Sequence, residues 1–195
     1  MEWVFGYGSL MWNPGFAYAG ESPARLMGYH RVYQMMSTRN RGTPERPGLL
    51  LSLAPGGKCL GKAFRIDPAC REESLKYLDE REGIGRAHRR VIVPVFLERD
   101  STPTLVHGWT YLPRHDYTNY IWGIGVERQA ELVMQGEGKT GTAFEYLDLL
   151  MKSLHSMGVD EPNLERLYQI VLEKKSSPTR LTKPGVPEGM PLAGK

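Results

Sequence analysis

The chain has 195 residues, 41% hydrophobic and 24% charged, with a formal net charge of +3. This balance excludes a disordered segment and a membrane-embedded chain, and leaves no broad basic face for nucleic acid. The 22 glycines and 14 prolines favour a strand- and loop-rich fold over a helical bundle.

In chain order, the first apolar run, Trp3 to Tyr7, reads as a buried strand that breaks at Gly6-Tyr7-Gly8-Ser9. The uncharged stretch from Trp3 to Gly20 contains four glycines, Asn13 and Pro14 behind Glu2, which argues against a spanning helix and a signal peptide. Strand-like runs follow at 25–35, 48–53 and 59–66, with a polar Arg/Gly/Pro loop between Ser37 and Gly48. Asp67-Pro68 then has the form of a helix start, Asp as N-cap and Pro at the first helical position. That helix should run to Glu82 with Leu75 and Leu78 inward, and Gly83 should end it. Val91, Val93, Val95 and Leu97 give a strand with an edge or bulge at Pro94, Asp100-Ser101-Thr102-Pro103 a turn, and 105–112 the returning partner.

The last third changes period. A helix is expected over 126–135. Thr142 and Glu145 form a capping box for a second over 143–157, ended by Gly158. Asp160 should cap a third, with Leu164, Leu167, Tyr168 and Val171 inward. Strands first and helices later indicate an α+β fold. The expected organisation is one domain over residues 1–175 and a Pro/Gly-rich arm over 176–195.

Several motifs carry little. Gly136-Glu137-Gly138-Lys139-Thr140-Gly141 matches a dinucleotide fingerprint, but a helix precedes it where a strand is required, so it reads as a flexible helix connector. The five histidines lack metal-ligand spacing, and the two cysteines, Cys59 and Cys70, read as reduced thiols of a cytoplasmic protein. Ser9 lies outside a G-x-S-x-G elbow; it tightens a turn or, as a weaker reading, is a nucleophile. The run Arg86, His88, Arg89, Arg90 reads as a solvated strand start or an anion contact. Glu82 stands at a helix C-terminus, where the dipole and burial both raise a carboxyl pKa, and a raised carboxylate can act as a general base.

Val4-Phe5-Gly6-Tyr7-Gly8-Ser9-Leu10-Met11-Trp12 resembles the opening of ChaC-type γ-glutamylcyclotransferases. Ser37-Thr38 with Arg41-Gly42 and Pro47-Gly48 is similar to that family's next block. Tyr77-Leu78-Asp79-Glu80-Arg81-Glu82 resembles the block that ends in its catalytic glutamate, and Glu145-Tyr146-Leu147 its late helix block. Four blocks in family order, from residue 3 to about 150, are more specific than any one. The resemblance implies a γ-glutamylcyclotransferase-like fold, a small mixed β-barrel with peripheral helices. It implies a small-molecule γ-glutamyl substrate, foremost glutathione, whose α-amine attacks its own γ-carbonyl to give 5-oxoproline and the released amine.

Under that reading Glu82 is the catalytic acid/base. Tyr7, Gly8, Ser9, Leu10 and Tyr146 bind substrate, and no cofactor, metal, nucleic acid or membrane is called for. The chain departs from the family at Ile84, Gly85 and Arg86, where two glycines and an aromatic are usual, and at Ala143, where asparagine is common. A non-catalytic binding protein of the same fold and a Ser9-dependent amidohydrolase stand as alternatives.

Overall fold

The computed structural model describes residues 2–85, 87–99, 101–114 and 116–176. Five strands close into a barrel in the order β1-β3-β2-β4-β5. They are β1 (Trp3–Gly6), β2 (Tyr18–Ser37), β3 (Gly48–Ile66), β4 (His88–Leu97) and β5 (Thr104–Pro113). Four pairings are antiparallel, and β1 lies parallel to β5, with Trp3 opposite Gly108, so the barrel is mixed. Between β3 and β4 runs helix α1 (Arg71–Glu82). After β5 come α2 (Val126–Gln135), a two-residue-per-strand hairpin β6 (Glu137–Gly138) and β7 (Gly141–Thr142), then α3 (Ala143–Ser156) and α4 (Pro162–Ser176).

The alternation of each strand sorts its side chains into three cores. Trp3, Phe5, Ala24, Leu26, Leu53, Ala63, Val93, Val95 and Leu97 fill the barrel. On the opposite face Val4, Phe64, Ile66 and Tyr111 meet Leu75 and Leu78 of α1, the inward pair expected from the sequence. The ends of β2 and β3 reach past the barrel, where Tyr33, Leu49 and Leu51 pack under α2, α3 and α4.

The two runs expected at 48–53 and 59–66 are one strand. Pro55, Gly56 and Gly57 form an irregularity inside it, where the pairing slips between Met27–Lys58 and Tyr29–Pro55. A Gly/Pro cluster looks like a turn locally, but continuous pairing with β2 carries the strand across as a bulge. The same slip reverses which residues of β2 face inward. Ser22, Ala24 and Leu26 are buried before it, Arg31, Tyr33 and Met35 after it.

The hairpin β4–β5 forms as expected, with Pro94 opposite His107. Only Val95–Leu97 of β4 pair with β2, so Pro94 sits on a free edge that needs no donor. Asp67 does cap, accepting the Ala69 N–H at 2.9 Å, but the turn it opens is a 3₁₀ segment, Pro68–Cys70, ahead of α1. The Thr142–Glu145 capping box of α3 is present in both directions.

The expected cap at Asp160 is displaced by one residue. Glu161 O accepts the N–H groups of Leu164 and Glu165, and Pro162 takes the first helical position. The ring of Pro162 keeps the preceding residue out of helical conformation, which sets the start there. The glycine-rich stretch 136–141 is a tight hairpin rather than a loose connector. Its Lys139 and Thr140 N–H groups donate to the carbonyls of Arg39 and Asn40, both at 2.9 Å, so these amides face protein and not a phosphate. Arg86, Asp100, His115 and the tail from residue 177 lie outside the described residues.

Candidate active site

Helix α1 delivers Glu82. The helix ends in a Schellman motif: Gly83, at φ +64°, donates to Glu80 O at 3.3 Å, and Ile84 donates to Asp79 O at 3.1 Å. This left-handed stop turns the chain away directly after Glu82. Asp79, one turn back, accepts Arg90 Nη1 on both carboxylate oxygens, at 3.0 and 2.8 Å, and the Tyr111 hydroxyl at 3.1 Å. The helix end is thereby tied to β4 and β5. The Glu82 carbonyl accepts the Nδ1–H of His88 at 2.7 Å, which sets that ring's tautomer.

The Glu82 side chain is 19% exposed, with Arg81 Nε 3.8 Å from its carboxylate. Burial pushes its pKa above the ordinary glutamate range, and His88 and Arg81 offset part of the shift. The carboxyl expected from the sequence to be raised is raised.

The second component is the turn after β1. Gly8 O accepts Met11 N–H at 2.8 Å and Ser9 O accepts Asn13 N–H at 2.9 Å, giving one 3₁₀ turn over Ser9–Met11. Tyr7 O accepts Arg31 Nε–H at 2.8 Å. Among the described residues no acceptor meets the N–H of Gly8 or of Leu10. The Leu10 side chain is buried with Val4, Phe64 and Leu78, so only its main chain can serve a ligand. The Tyr7 hydroxyl donates to Tyr111 O at 2.8 Å. Ser9 Oγ accepts from Arg81 Nη2 at 2.8 Å, and the other end of that guanidinium holds the carbonyls of Asn13 and Pro14.

Helix α3 brings Tyr146 onto this turn. A Cβ on residue 8 would stand 2.7 Å from the Tyr146 hydroxyl, so only glycine leaves room for the phenol. The Ser9 backbone hydrogen-bonds that hydroxyl. Burial raises the phenol's pKa, and the Glu82 charge raises it further; Tyr7 responds in the same order to burial and to Glu82. Trp12 meets the Tyr146 ring edge-on at 5.3 Å, and the Arg41 guanidinium lies 5.9 Å from its centre. The fold therefore gathers Glu82, Tyr7, Gly8, Ser9, the Leu10 main chain and Tyr146 from three separate elements.

Among the described residues no group of three or more His, Cys, Asp or Glu side chains comes together to hold a metal ion. A cavity of about 230 Å³ lined by Glu2, Ala19, Arg65, Ile66, Pro68 and Arg71 lies at the opposite end of α1 and shares no residue with this cluster.

Residues 2–174 match the ChaC-like protein family. The chain belongs to the ChaC-like family. This ChaC-like chain is 31% identical to the glutathione-specific γ-glutamylcyclotransferase of Escherichia coli (strain K12), over 94% of its own length and 79% of that protein's. It is 32% identical to the enzyme of the same name from Schizosaccharomyces pombe, over 83% and 87% of the two chains. A crystal structure of a γ-glutamyl cyclotransferase specific to glutathione from yeast superposes with a TM-score of 0.81 at 24% identity, covering 88% of this chain and 96% of that one. The barrel with peripheral helices is thus the fold of that structure.

Three arginines around the cluster had no role in the sequence reading. Arg31 left one signal, a charge among apolar neighbours in a strand, but its inward direction depends on the bulge. Arg81 and Arg41 stood inside the quoted blocks without a distinguishing feature. Of the departures, Ile84 is 38% exposed beside the Glu82 turn, Ala143 is fully buried against Gly48, and Arg86 lies outside the described residues.

Proposed function

We propose that this chain is a γ-glutamylcyclotransferase that converts glutathione to 5-oxoproline and cysteinylglycine. The observation that carries the reading is the raised Glu82 carboxyl within electrostatic reach of Tyr7 and Tyr146, beside the Tyr7–Leu10 turn. The names of the relatives supply the substrate, glutathione.

The reaction is an intramolecular attack, so holding the γ-glutamyl group folded on itself supplies much of the rate. The α-ammonium must lose a proton before it attacks the γ-carbonyl. Glu82, as the carboxylate, takes that proton, and its raised pKa makes it a stronger base than an exposed glutamate. As the tetrahedral centre collapses, the C–N bond breaks and Glu82 returns the proton to the leaving amine. The Gly8 and Leu10 N–H groups supply donors for the substrate carboxylate or the developing oxyanion. The Tyr146 hydroxyl supplies a further hydrogen-bonding group at the same turn.

Ser9 is a turn residue in this scheme. Its hydroxyl accepts from the Arg81 guanidinium, which cannot accept a proton, and among the described residues it donates to no base. We assign the activity to the cytoplasm, a reading supported by two free thiols, Cys59 and Cys70. Among the described residues no helix is long and apolar enough to cross a membrane. The test is release of 5-oxoproline from glutathione by the purified chain. Binding of glutathione without 5-oxoproline would instead identify a non-catalytic protein of this fold.

A further inference from the structure

Arg81 and Glu82 are neighbours in the last turn of α1, and their side chains leave the helix about 100° apart. Glu82 points its carboxyl toward Tyr7 and Tyr146, whereas Arg81 reaches the turn after β1. Arg81 Nη1 donates to Asn13 O at 2.7 Å, to Pro14 O at 3.1 Å and to the Tyr77 hydroxyl at 3.0 Å, and Nη2 donates to Ser9 Oγ at 2.8 Å. One guanidinium therefore holds the 3₁₀ turn Ser9–Met11 at its start and just past its end. Its Nε lies 3.8 Å from Glu82 Oε1, too far for a hydrogen bond and close enough for charge to act.

The guanidinium is itself supported. Tyr77 stands one turn earlier on α1, with its ring centre 5.9 Å from the Arg81 guanidinium carbon. Gly15 sits at φ +71°, and a Cβ there would run into the Tyr77 hydroxyl, so glycine both makes the bend and leaves the phenol its place. Holding two carbonyls and two hydroxyls at once uses the planar fork of arginine, which the point charge of a lysine does not reproduce.

Ser9 is where the two sides of the site meet. Its Oγ is held by Arg81, and its backbone hydrogen-bonds the Tyr146 hydroxyl. Gly8 and Leu10 on either side of it carry the N–H groups that no acceptor meets among the described residues. A displacement of Ser9 therefore moves the donors and the phenol together. Arg81 links this turn directly to the residue beside Glu82, across 72 positions of sequence.

We propose that Arg81 is a positioning residue that sets the separation between the Glu82 carboxylate and the amide donors of the Gly8–Leu10 turn, acting through Ser9 Oγ and the carbonyls of Asn13 and Pro14. This rests on the cyclotransferase reading above and adds the group that fixes its geometry.

The test follows 5-oxoproline release from glutathione against pH, in the full chain, with a thermal melt of each variant. Arg81→Met keeps the stem and loses both fork and charge. Its kcat on the plateau above the acid limb should fall by about 100-fold, the cost of misplacing reacting groups by roughly an ångström. Arg81→Lys keeps the charge without the fork, and its plateau kcat should still fall by about tenfold or more. Tyr77→Phe removes one support of the guanidinium and should lower plateau kcat by roughly two- to fivefold.

The acid limb separates position from charge. The groups facing Glu82 are Arg81 on α1, His88 at the start of β4, Tyr7 after β1, Tyr111 on β5 and Tyr146 on α3. Burial raises the Glu82 pKa, and the His88 and Arg81 cations oppose it. The limb should therefore move to higher pH in Arg81→Met and stay in place in Arg81→Lys and Tyr77→Phe.

A loss in Arg81→Met that disappears on the plateau overturns the proposal, because Arg81 would then act only through its charge. A Tm that falls while plateau kcat per folded molecule stays within about threefold of wild type overturns it too, because Arg81 would then serve only the fold. If Arg81→Met does not fold, wild-type plateau kcat in both Arg81→Lys and Tyr77→Phe overturns it. Each of these results leaves the cyclotransferase reading standing. A wild type that releases no 5-oxoproline overturns that reading and this proposal with it.

Discussion

The hydroxyl of Tyr146 occupies the space that a Cβ on Gly8 would need, 2.7 Å away. The contact joins α3 to the turn after β1 across 138 positions of sequence, and it makes the two residues energetically dependent. Gly8→Ala should drive the phenol off the turn and lower kcat/KM by at least tenfold. Tyr146→Phe should cost about 1–3 kcal/mol, roughly 5- to 150-fold in kcat/KM, by removing one hydrogen bond. The other neighbours of that Cβ are at ordinary contact distances, Leu51 Cδ2 at 3.5 Å and Tyr146 Cζ at 3.9 Å. The double variant should therefore be no worse than Tyr146→Phe alone. Additive losses in the cycle would show that the clash is elsewhere.

Glu82→Gln keeps size and hydrogen bonding but accepts no proton at neutral pH. It should lose about 10²–10⁴ in kcat while still binding glutathione. Glu80, exposed on the other side of α1, is the control and should tolerate Gln. Wild-type kcat/KM should fall on acidification, with an apparent pKa above the ordinary carboxylate value of about 4.3. A profile flat through that region, or a Gln variant within threefold of wild type, would remove Glu82 from the chemistry.

The same residue should cost stability. Folding raises the Glu82 pKa, so the folded chain holds that proton more tightly than the unfolded one. Its contribution is therefore most favourable below the unfolded value and is lost as pH rises through the folded value. Glu82→Gln should raise Tm at pH 7 and lose that advantage below about pH 4. Thermal melts at both pH values read this directly, and a Gln variant less stable at pH 7 would contradict it.

Ser9→Ala separates a turn residue from a nucleophile. Losing the hydroxyl that Arg81 holds should lower kcat/KM by no more than about tenfold, one hydrogen bond's worth. Removal of a serine nucleophile costs on the order of 10⁶ in kcat. A collapse of that size in a folded Ser9→Ala protein would revive the amidohydrolase alternative.

Arg31→Met tests the buried guanidinium that links β2, the Tyr7 carbonyl and Glu161 at the start of α4. Its side chain is fully buried, so its loss leaves Glu161 and two carbonyls without their donor. The expected cost is about 3–5 kcal/mol. For a chain of this size that is a fall of roughly 6–20 °C in Tm. A shift below 2 °C would mean that the guanidinium is not holding these elements together.

Much of this protein was legible in local sequence. The helix ending at Glu82-Gly83 followed from apolar spacing and a left-handed glycine, the box at Thr142 and Glu145 from two residue types three apart, and the β4–β5 hairpin from alternation broken by a turn. These are interactions within one turn or one strand pair, so neighbours in sequence suffice to specify them. The raised carboxyl of Glu82 was expected partly from its helix end, but burial is what raises it, and burial is decided by packing against the rest of the chain.

Other features depended on partners far along the chain. Pro55-Gly56-Gly57 reads as a turn until β2 pairs on both sides of it. The resulting slip decides that Arg31 and Tyr33 point inward, which no alternation pattern states in advance. The glycine-rich stretch at 136–141 is set by the carbonyls of Arg39 and Asn40, a hundred residues away. The approach of Tyr146 to Gly8 exists only because the helical layer packs on the ends of β2 and β3 that reach past the barrel. Hydrogen bonds across a barrel and contacts between layers are fixed by three-dimensional closure, and closure is a property of the whole chain.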